Sequence, residues 1–174
     1  MKVFLNAGLF QILWFVCVLG GNTAALTASF GYFLLHRWLF LRQAQEWGLI
    51  IIFVLSGILI DGGLLSLGIL QQEGAELDVL VFPPLWLLCL WAGVASLFSH
   101  SLSWLRGKYF WAAIMGFVGP VWSYLLGAQM SEINVSGSVW QTGLIIACIW
   151  MLLIPAGIFA CEKLALFDNK VSIK

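Results

Sequence analysis

"GLIIIFVLSGILIDGGLLSLGIL", Gly48 to Leu70, decides how this chain folds. Its only ionisable side chain is Asp61; every other position is apolar, glycine or serine. At 1.5 Å per residue a helix of this length crosses a hydrocarbon core about 30 Å thick, which takes roughly 20 apolar residues. Such a run is a membrane helix, and a lone carboxylate inside one must be paired, hydrated or protonated. Asp61 is therefore the residue whose surroundings need explaining.

The same pattern repeats along the chain. Hydrophobic residues occupy 62% of the 174 positions and charged ones 9%, against about 25% charged in an ordinary soluble domain. The apolar residues fall into six runs: 3–19, 22–41, 48–70, 83–103, 110–130 and 138–160. The expected fold is an all-α, polytopic membrane protein forming one transmembrane domain over 1–174. "MKVFLNAGLFQILWFVCVLGG" resembles a secretory leader but carries no small-residue cleavage site, so it is read as a retained first helix.

Charge supplies the orientation. Lys2, Arg37, Arg42, Arg106, Lys108, Lys163, Lys170 and Lys174 all fall on one side of a six-helix chain, while Glu73, Glu76, Asp78 and Glu132 fall on the other. The positive-inside rule puts both termini in the cytoplasm. Trp38, Trp47, Trp104 and Trp111 are expected at the cytoplasmic boundary and Trp86 and Trp140 at the outer one, with Trp91 and Trp150 deeper as packing residues.

In that frame Asp61 lies about 20 Å from the cytoplasmic edge, in the outer half of the membrane. Gly57 and Gly68 share its helical face, so the carboxylate is expected to point into the bundle beside close-packed neighbours. Helix five brings Ser123 and Tyr124 to the same depth, where a hydroxyl or phenol is a suitable partner. Ala92, Ser96, Ser99, His100 and Ser103 form a small, polar stripe on helix four; Ala112, Gly116, Gly119, Pro120, Ser123 and Gly127 form one on helix five. These stripes either allow close helix packing or line a polar cavity. His100 lies in the cytoplasmic half with His36 and Asn6, too far along the axis to pair with Asp61. The candidate ligand-binding residues are Asp61, Tyr124, Ser123, His100, Ser96, Ser99 and Asn6.

Several chemistries find no support. The two histidines have no carboxylate at their depth and no H-E-x-x-H motif exists, so no metal site is expected. Cys17, Cys89, Cys148 and Cys161 form no C-x-x-C pair and read as small hydrophobes. Nucleotide-binding loops and serine-hydrolase elbows are absent, no cofactor is implied, and scattered basic residues at zero net charge give no basis for nucleic-acid binding. Nothing in the sequence fixes an oligomeric state.

The segment Pro83 to Gln129 resembles the signature region of a family of small bacterial inner-membrane proteins catalogued only as a domain of unknown function. Pro84, Trp86, Trp91, the "HSLSWL" run from His100 to Leu105, Gly119, Pro120, Tyr124 and Gly127 carry the resemblance, and Asn6, Trp14, Gly20 and Asp61 fit it. The "SYLLGAQM" end of helix five departs from it. The resemblance covers nearly the whole chain and implies a six-helix fold in a bacterial inner membrane; it transfers no activity and no catalytic residue. The leading expectation is a protein that binds or moves a lipid or small amphipathic molecule in a cavity between helices three to five, anchored by Asp61. A membrane-embedded lipid-modifying enzyme of the lysoplasmalogenase type, using Asp61 with Tyr124 or His100, is the alternative. A structural partner of another membrane protein is the third reading.

Overall fold

In the computed structural model, which describes residues 2–72 and 81–167, the first two apolar runs are joined in one helical stretch, α1 (Lys2–Leu39), broken at Gly21. A straight helix of that length would hold its ends about 55 Å apart, yet Lys2 Nζ donates to the Leu39 carbonyl at 3.3 Å. The stretch is a hairpin. Gly21, with φ 64° and ψ −167°, occupies a backbone region open to glycine alone, and beside it Asn22 Oδ1 accepts the Trp86 backbone N–H at 3.0 Å. The two arms match the expected first and second helices.

After the turn at Leu41–Ala44 come α2 (Gln45–Ser66), strand β1 (Leu70–Gln72), α3 (Leu85–Ala95), a 3-10 turn at Ser103–Leu105, α4 (Tyr109–Met130), strand β2 (Ile133–Val135) and α5 (Val139–Lys163). The fold is all-helical apart from one antiparallel ladder, in which Leu70 faces Val135 and Gln72 faces Ile133. That ladder corrects the expected end of helix three. The helix stops at Ser66, and Gly68 lies beyond it at φ 68°, off the face it was expected to share with Asp61. The expected outer acidic residues Glu73, Glu76 and Asp78, and the tail residues Lys170 and Lys174, lie outside the described residues.

The largest correction concerns helix four, expected over Pro83 to Ser103. Regular helix ends at Ala95, and the chain continues through turns from Ser96 to Gly107. The hydroxyls explain this. Ser96 Oγ donates to the Gly93 carbonyl and Ser103 Oγ to the His100 carbonyl, both at 2.6 Å, so side chains compete with the helical ladder for acceptors. Ser96, Ser99, His100 and Ser103 thus do not share a helical face. Irregular backbone at membrane depth is tolerated where protein encloses it, and Ser96, Phe98, Ser99, His100 and Ser101 are all buried.

α3 is the axis of the fold. Gly93 meets Phe10 and Leu13 of the first arm, and Tyr32 of the second arm reaches Ser96. On the α2 side Gly57 packs so tightly on Trp91 that an added Cβ would fall 2.5 Å from Trp91 Cγ. Trp86, expected at the outer boundary, is buried here at 3% exposure, as are the α3 residues from Leu87 to Gly93 and Ala95, in keeping with a helix that is apolar all round. α4 and α5 pair as a second hairpin at Gly116, where an added Cβ would lie 2.1 Å from the Trp150 carbonyl oxygen. Gly119, expected on the inward stripe of that helix, is exposed.

Polarity runs opposite to a soluble protein. Phe30, Leu59 and Leu152 are 70%, 77% and 69% exposed, while Asn6, His36, Glu46, Asp61, Ser96 and Thr142 are buried. Four helices, α1, α2, α4 and α5, are long and apolar enough to cross a membrane, and their apolar outer faces have no counterpart on a soluble monomer. The chain is a membrane protein. Its described basic residues gather at one end: Lys2, Arg42 and Arg106 line one pocket, Arg37 is in the last turn of α1 and Lys163 in that of α5, and Lys108 caps the start of α4.

Candidate functional site

Two buried carboxylates on α2 organise the interior. Asp61 is fully enclosed; Trp91 Nε1 donates to its Oδ2 at 2.6 Å and Tyr124 OH to its Oδ1 at 2.8 Å. Each oxygen has a neutral donor, one from α3 and one from α4, which answers the demand that a carboxylate in a helix bundle be hydrogen-bonded. Trp91 stacks on Trp150 of α5 at 4.8 Å, so this knot joins α2, α3, α4 and α5. Ser123 belongs to another contact: its Oγ accepts Trp14 Nε1–H of the first arm at 2.7 Å. Asp61 and Tyr124 are brought together; Ser123 is not with them.

At the basic end the irregular segment after α3 meets the second arm of α1 and the first turn of α2. Glu46 Oε2 lies 2.9 Å from His100 Nε2, accepts Ser99 Oγ–H at 3.1 Å, and is 3.4 Å from His36 Nε2. Its other oxygen accepts the Arg42 backbone N–H at 3.2 Å, which fixes the side chain across the turn between α1 and α2. His36 is stacked against Tyr32 and edged by Phe33 and Trp47, and the two imidazoles are 5.2 Å apart. His36, Glu46 and His100 are all buried, with one ligand atom from each within 4.8 Å of the others.

Sequence reasoning does not single out Glu46, because it lies two positions before Gly48, the first residue of the apolar run. The helix begins at Gln45, and the turn carries Glu46 inward. The expectation of no metal-ligand set rested on there being no carboxylate at the depth of the histidines; Glu46 is that carboxylate.

Hydrogen bonding across the cluster is incomplete. Among the described residues the buried side-chain atoms without a partner are Asn6 Nδ2, Ser29 Oγ and both ring nitrogens of His36. Asn6 has a simple resolution. Ser101 Oγ lies 2.9 Å from Val3 O and 2.5 Å from Asn6 Oδ1, and one hydroxyl proton serves only one acceptor. Turning the Asn6 amide lets its NH₂ donate to Ser101 while Ser101 donates to Val3 O. Ser96 accepts from Tyr32 at 2.6 Å and, with Asn6, forms the layer beneath the histidines. His36 keeps only the 3.4 Å approach of its Nε2 to Glu46, and its Nδ1 has no partner among the described residues.

A cavity of about 470 Å³ opens beside this cluster. Ser99 and His100 form its floor, Lys2, Arg42 and Arg106 bring positive charge to it, and Trp38, Phe40 and Phe167 give apolar wall. Asp61 does not line it.

The family described as "Protein of unknown function (DUF2878)" matches residues 3–156, and the chain belongs to it. Every residue of both carboxylate sites falls inside the matched region. No curated protein and no solved structure matches the chain.

Proposed function

We propose that this family member is a six-span protein of a bacterial inner membrane, with both termini on the cytoplasmic side, that binds the anionic group of a lipid or small amphipathic molecule in the pocket at its basic end. Six passes are supported by counting the two arms of α1, then α2, then α3 with the turns that follow it, then α4 and α5. The collection of basic residues at one end supports a cytoplasmic location for that end. Reporters fused after Gln72 and after Gly107 test the topology: the first is expected outside and the second inside, and the same side for both overturns it.

The observation that carries the ligand reading is the pocket itself. Three cationic side chains stand over a polar floor of Ser99 and His100 beside aromatic walls, a combination suited to a headgroup with its chain attached. The pocket lies at the basic end, not between helices three to five, and Asp61, sealed by Trp91 and Tyr124, is not its anchor. Sealing also removes access for acid and base work by Asp61 and Tyr124. Ser99 and His100 both bond to Glu46 and not to each other, so they form no nucleophile and base pair.

Native mass spectrometry of the purified chain with phosphatidylglycerol or phosphatidylcholine tests this reading. Retention of the anionic lipid is expected to exceed that of the zwitterionic one by about tenfold, roughly 1.4 kcal/mol, and to fall toward parity in an Arg42→Gln, Arg106→Gln double variant. Equal retention of the two lipids by the wild-type chain overturns it.

A further inference from the structure

We propose that His36, Glu46 and His100 form a site for one divalent transition-metal cation of the zinc class. The donor set is two imidazoles and a carboxylate, a combination that zinc takes with three protein ligands and an open position. Both carboxylate–imidazole spacings are close to those of a metal centre. With metal bonds of about 2.0 to 2.1 Å, neighbouring ligand atoms of a tetrahedral centre are about 3.3 Å apart; the Glu46 oxygen lies 3.4 Å from His36 Nε2 and 2.9 Å from His100 Nε2, and with the three ligand atoms within 4.8 Å of one another the two imidazoles need only draw together around the ion.

The independent sign is His36. It is 1% exposed, its Nε2 faces the carboxylate, and neither ring nitrogen has a hydrogen-bond partner among the described residues. A buried imidazole in that condition has only a 3.4 Å approach to the carboxylate in exchange for its hydration, whereas a metal bond takes up the Nε2 lone pair. Surrounding groups already hold the ligands in place, as outer-shell contacts do in metal centres. The Arg42 N–H and Ser99 hydroxyl fix Glu46, and Tyr32, Phe33 and Trp47 hold the His36 ring.

The three ligands come from the second arm of α1, the start of α2 and the turn after α3, so a bound cation would tie together segments far apart in sequence. His100 and Ser99 also line the pocket, which gives the open position its access. The site rests on the ligand geometry and stands whether or not a lipid enters that pocket.

Full-length protein in detergent, stripped with chelator and reloaded with Zn²⁺ alone or Co²⁺ alone, tests the proposal. One equivalent per chain is expected to survive gel filtration. Cobalt is expected to give visible d–d bands without a thiolate charge-transfer band, and Glu46→Gln and His36→Gln are each expected to weaken retention by roughly a hundredfold or more. Cys148→Ala, which changes an exposed thiol, is expected to retain the full equivalent. No retained equivalent, an equal one in folded Glu46→Gln, or a cobalt-thiolate band each overturns the site. Should the ligand variants not fold, the wild-type cobalt spectrum and the melting of stripped against reloaded protein decide: absent bands with identical melting refute it.

Discussion

Asp61 and Glu46 stand on the same helix, both buried, about 22 Å apart along its axis, and they are built to different ends. Asp61 has one neutral donor on each oxygen, from α3 and α4, in regular helical surroundings. Glu46 shares one oxygen among Ser99, His100 and His36, next to unwound backbone, an imidazole with no hydrogen bond on either nitrogen, and a pocket. A closed hydrogen-bond account marks a lock between helices; an open one beside a cavity marks a place where something binds. Oddity in the sequence therefore does not sort structural from functional carboxylates. The residue that stands out most, Asp61, is the more complete of the two.

The largest effect that can break this contrast is Asp61→Ala. It strands the Trp91 and Tyr124 donors inside the bundle, at about 1 to 3 kcal/mol each, or roughly 2 to 6 together. Asp61→Asn should be milder, about 1 to 3 kcal/mol, because its carbonyl can accept from Trp91 while its NH₂ donates to the Tyr124 oxygen, leaving only the Tyr124 hydroxyl proton without its acceptor. Chemical denaturation in detergent micelles reads both. A lock predicts normal pocket binding in the Asn variant; intact stability with lost lipid or metal binding would return Asp61 to the site.

Next in size is the response of the Glu46 cluster to metal. At a free zinc concentration a hundred times its dissociation constant the wild-type chain should gain about 2.7 kcal/mol, and Glu46→Gln should gain almost nothing. Without metal the same variant should lose about 1 to 3 kcal/mol, because the carboxylate accepts from Ser99 and the Arg42 N–H and faces His100, and an amide replaces these charge-assisted bonds with weaker ones. A loss larger than that of Asp61→Ala would instead make the cluster a second lock and erase the comparison.

Gly57→Val tests the lock from its packing side. The new Cβ would start 2.5 Å from Trp91 Cγ and push the indole off Asp61, at about 1 to 3 kcal/mol for the overpacking. Thermal unfolding should show that loss while zinc retention at the far end of α2 stays unchanged. Loss of zinc along with stability would mean that the two carboxylate sites are coupled through α3.

What could be read from the sequence follows from what periodicity and length record. The long apolar runs match α2, α4 and α5 to within a few residues, and the break between the runs 3–19 and 22–41 coincides with the bend at Gly21. Depth arithmetic put Tyr124 level with Asp61, where the two bond. Helix four could not be read in this way: Ser96 and Ser103 unwind it by bonding back to carbonyls, which depends on tertiary enclosure and leaves no trace in hydropathy. Glu46 was hidden for a related reason. A charged residue two positions outside an apolar run looks solvated until the turn that precedes it is known to fold inward.

Ser123→Ala is the smallest of the expected effects and the finest test of where the lock ends. Ser123 precedes Tyr124 in sequence, but its hydroxyl accepts from Trp14 on the first arm and has no partner in common with Asp61. Its loss should cost about 1 kcal/mol, the ordinary net worth of one hydrogen bond. Sites without shared partners add to within about 0.5 kcal/mol, so Ser123→Ala combined with Asp61→Asn should destabilise by the sum of the two. A coupling above about 1 kcal/mol in that double-mutant cycle would join Trp14, Ser123, Tyr124 and Asp61 into one network. The first arm would then hold the same lock that ties α2 to α5.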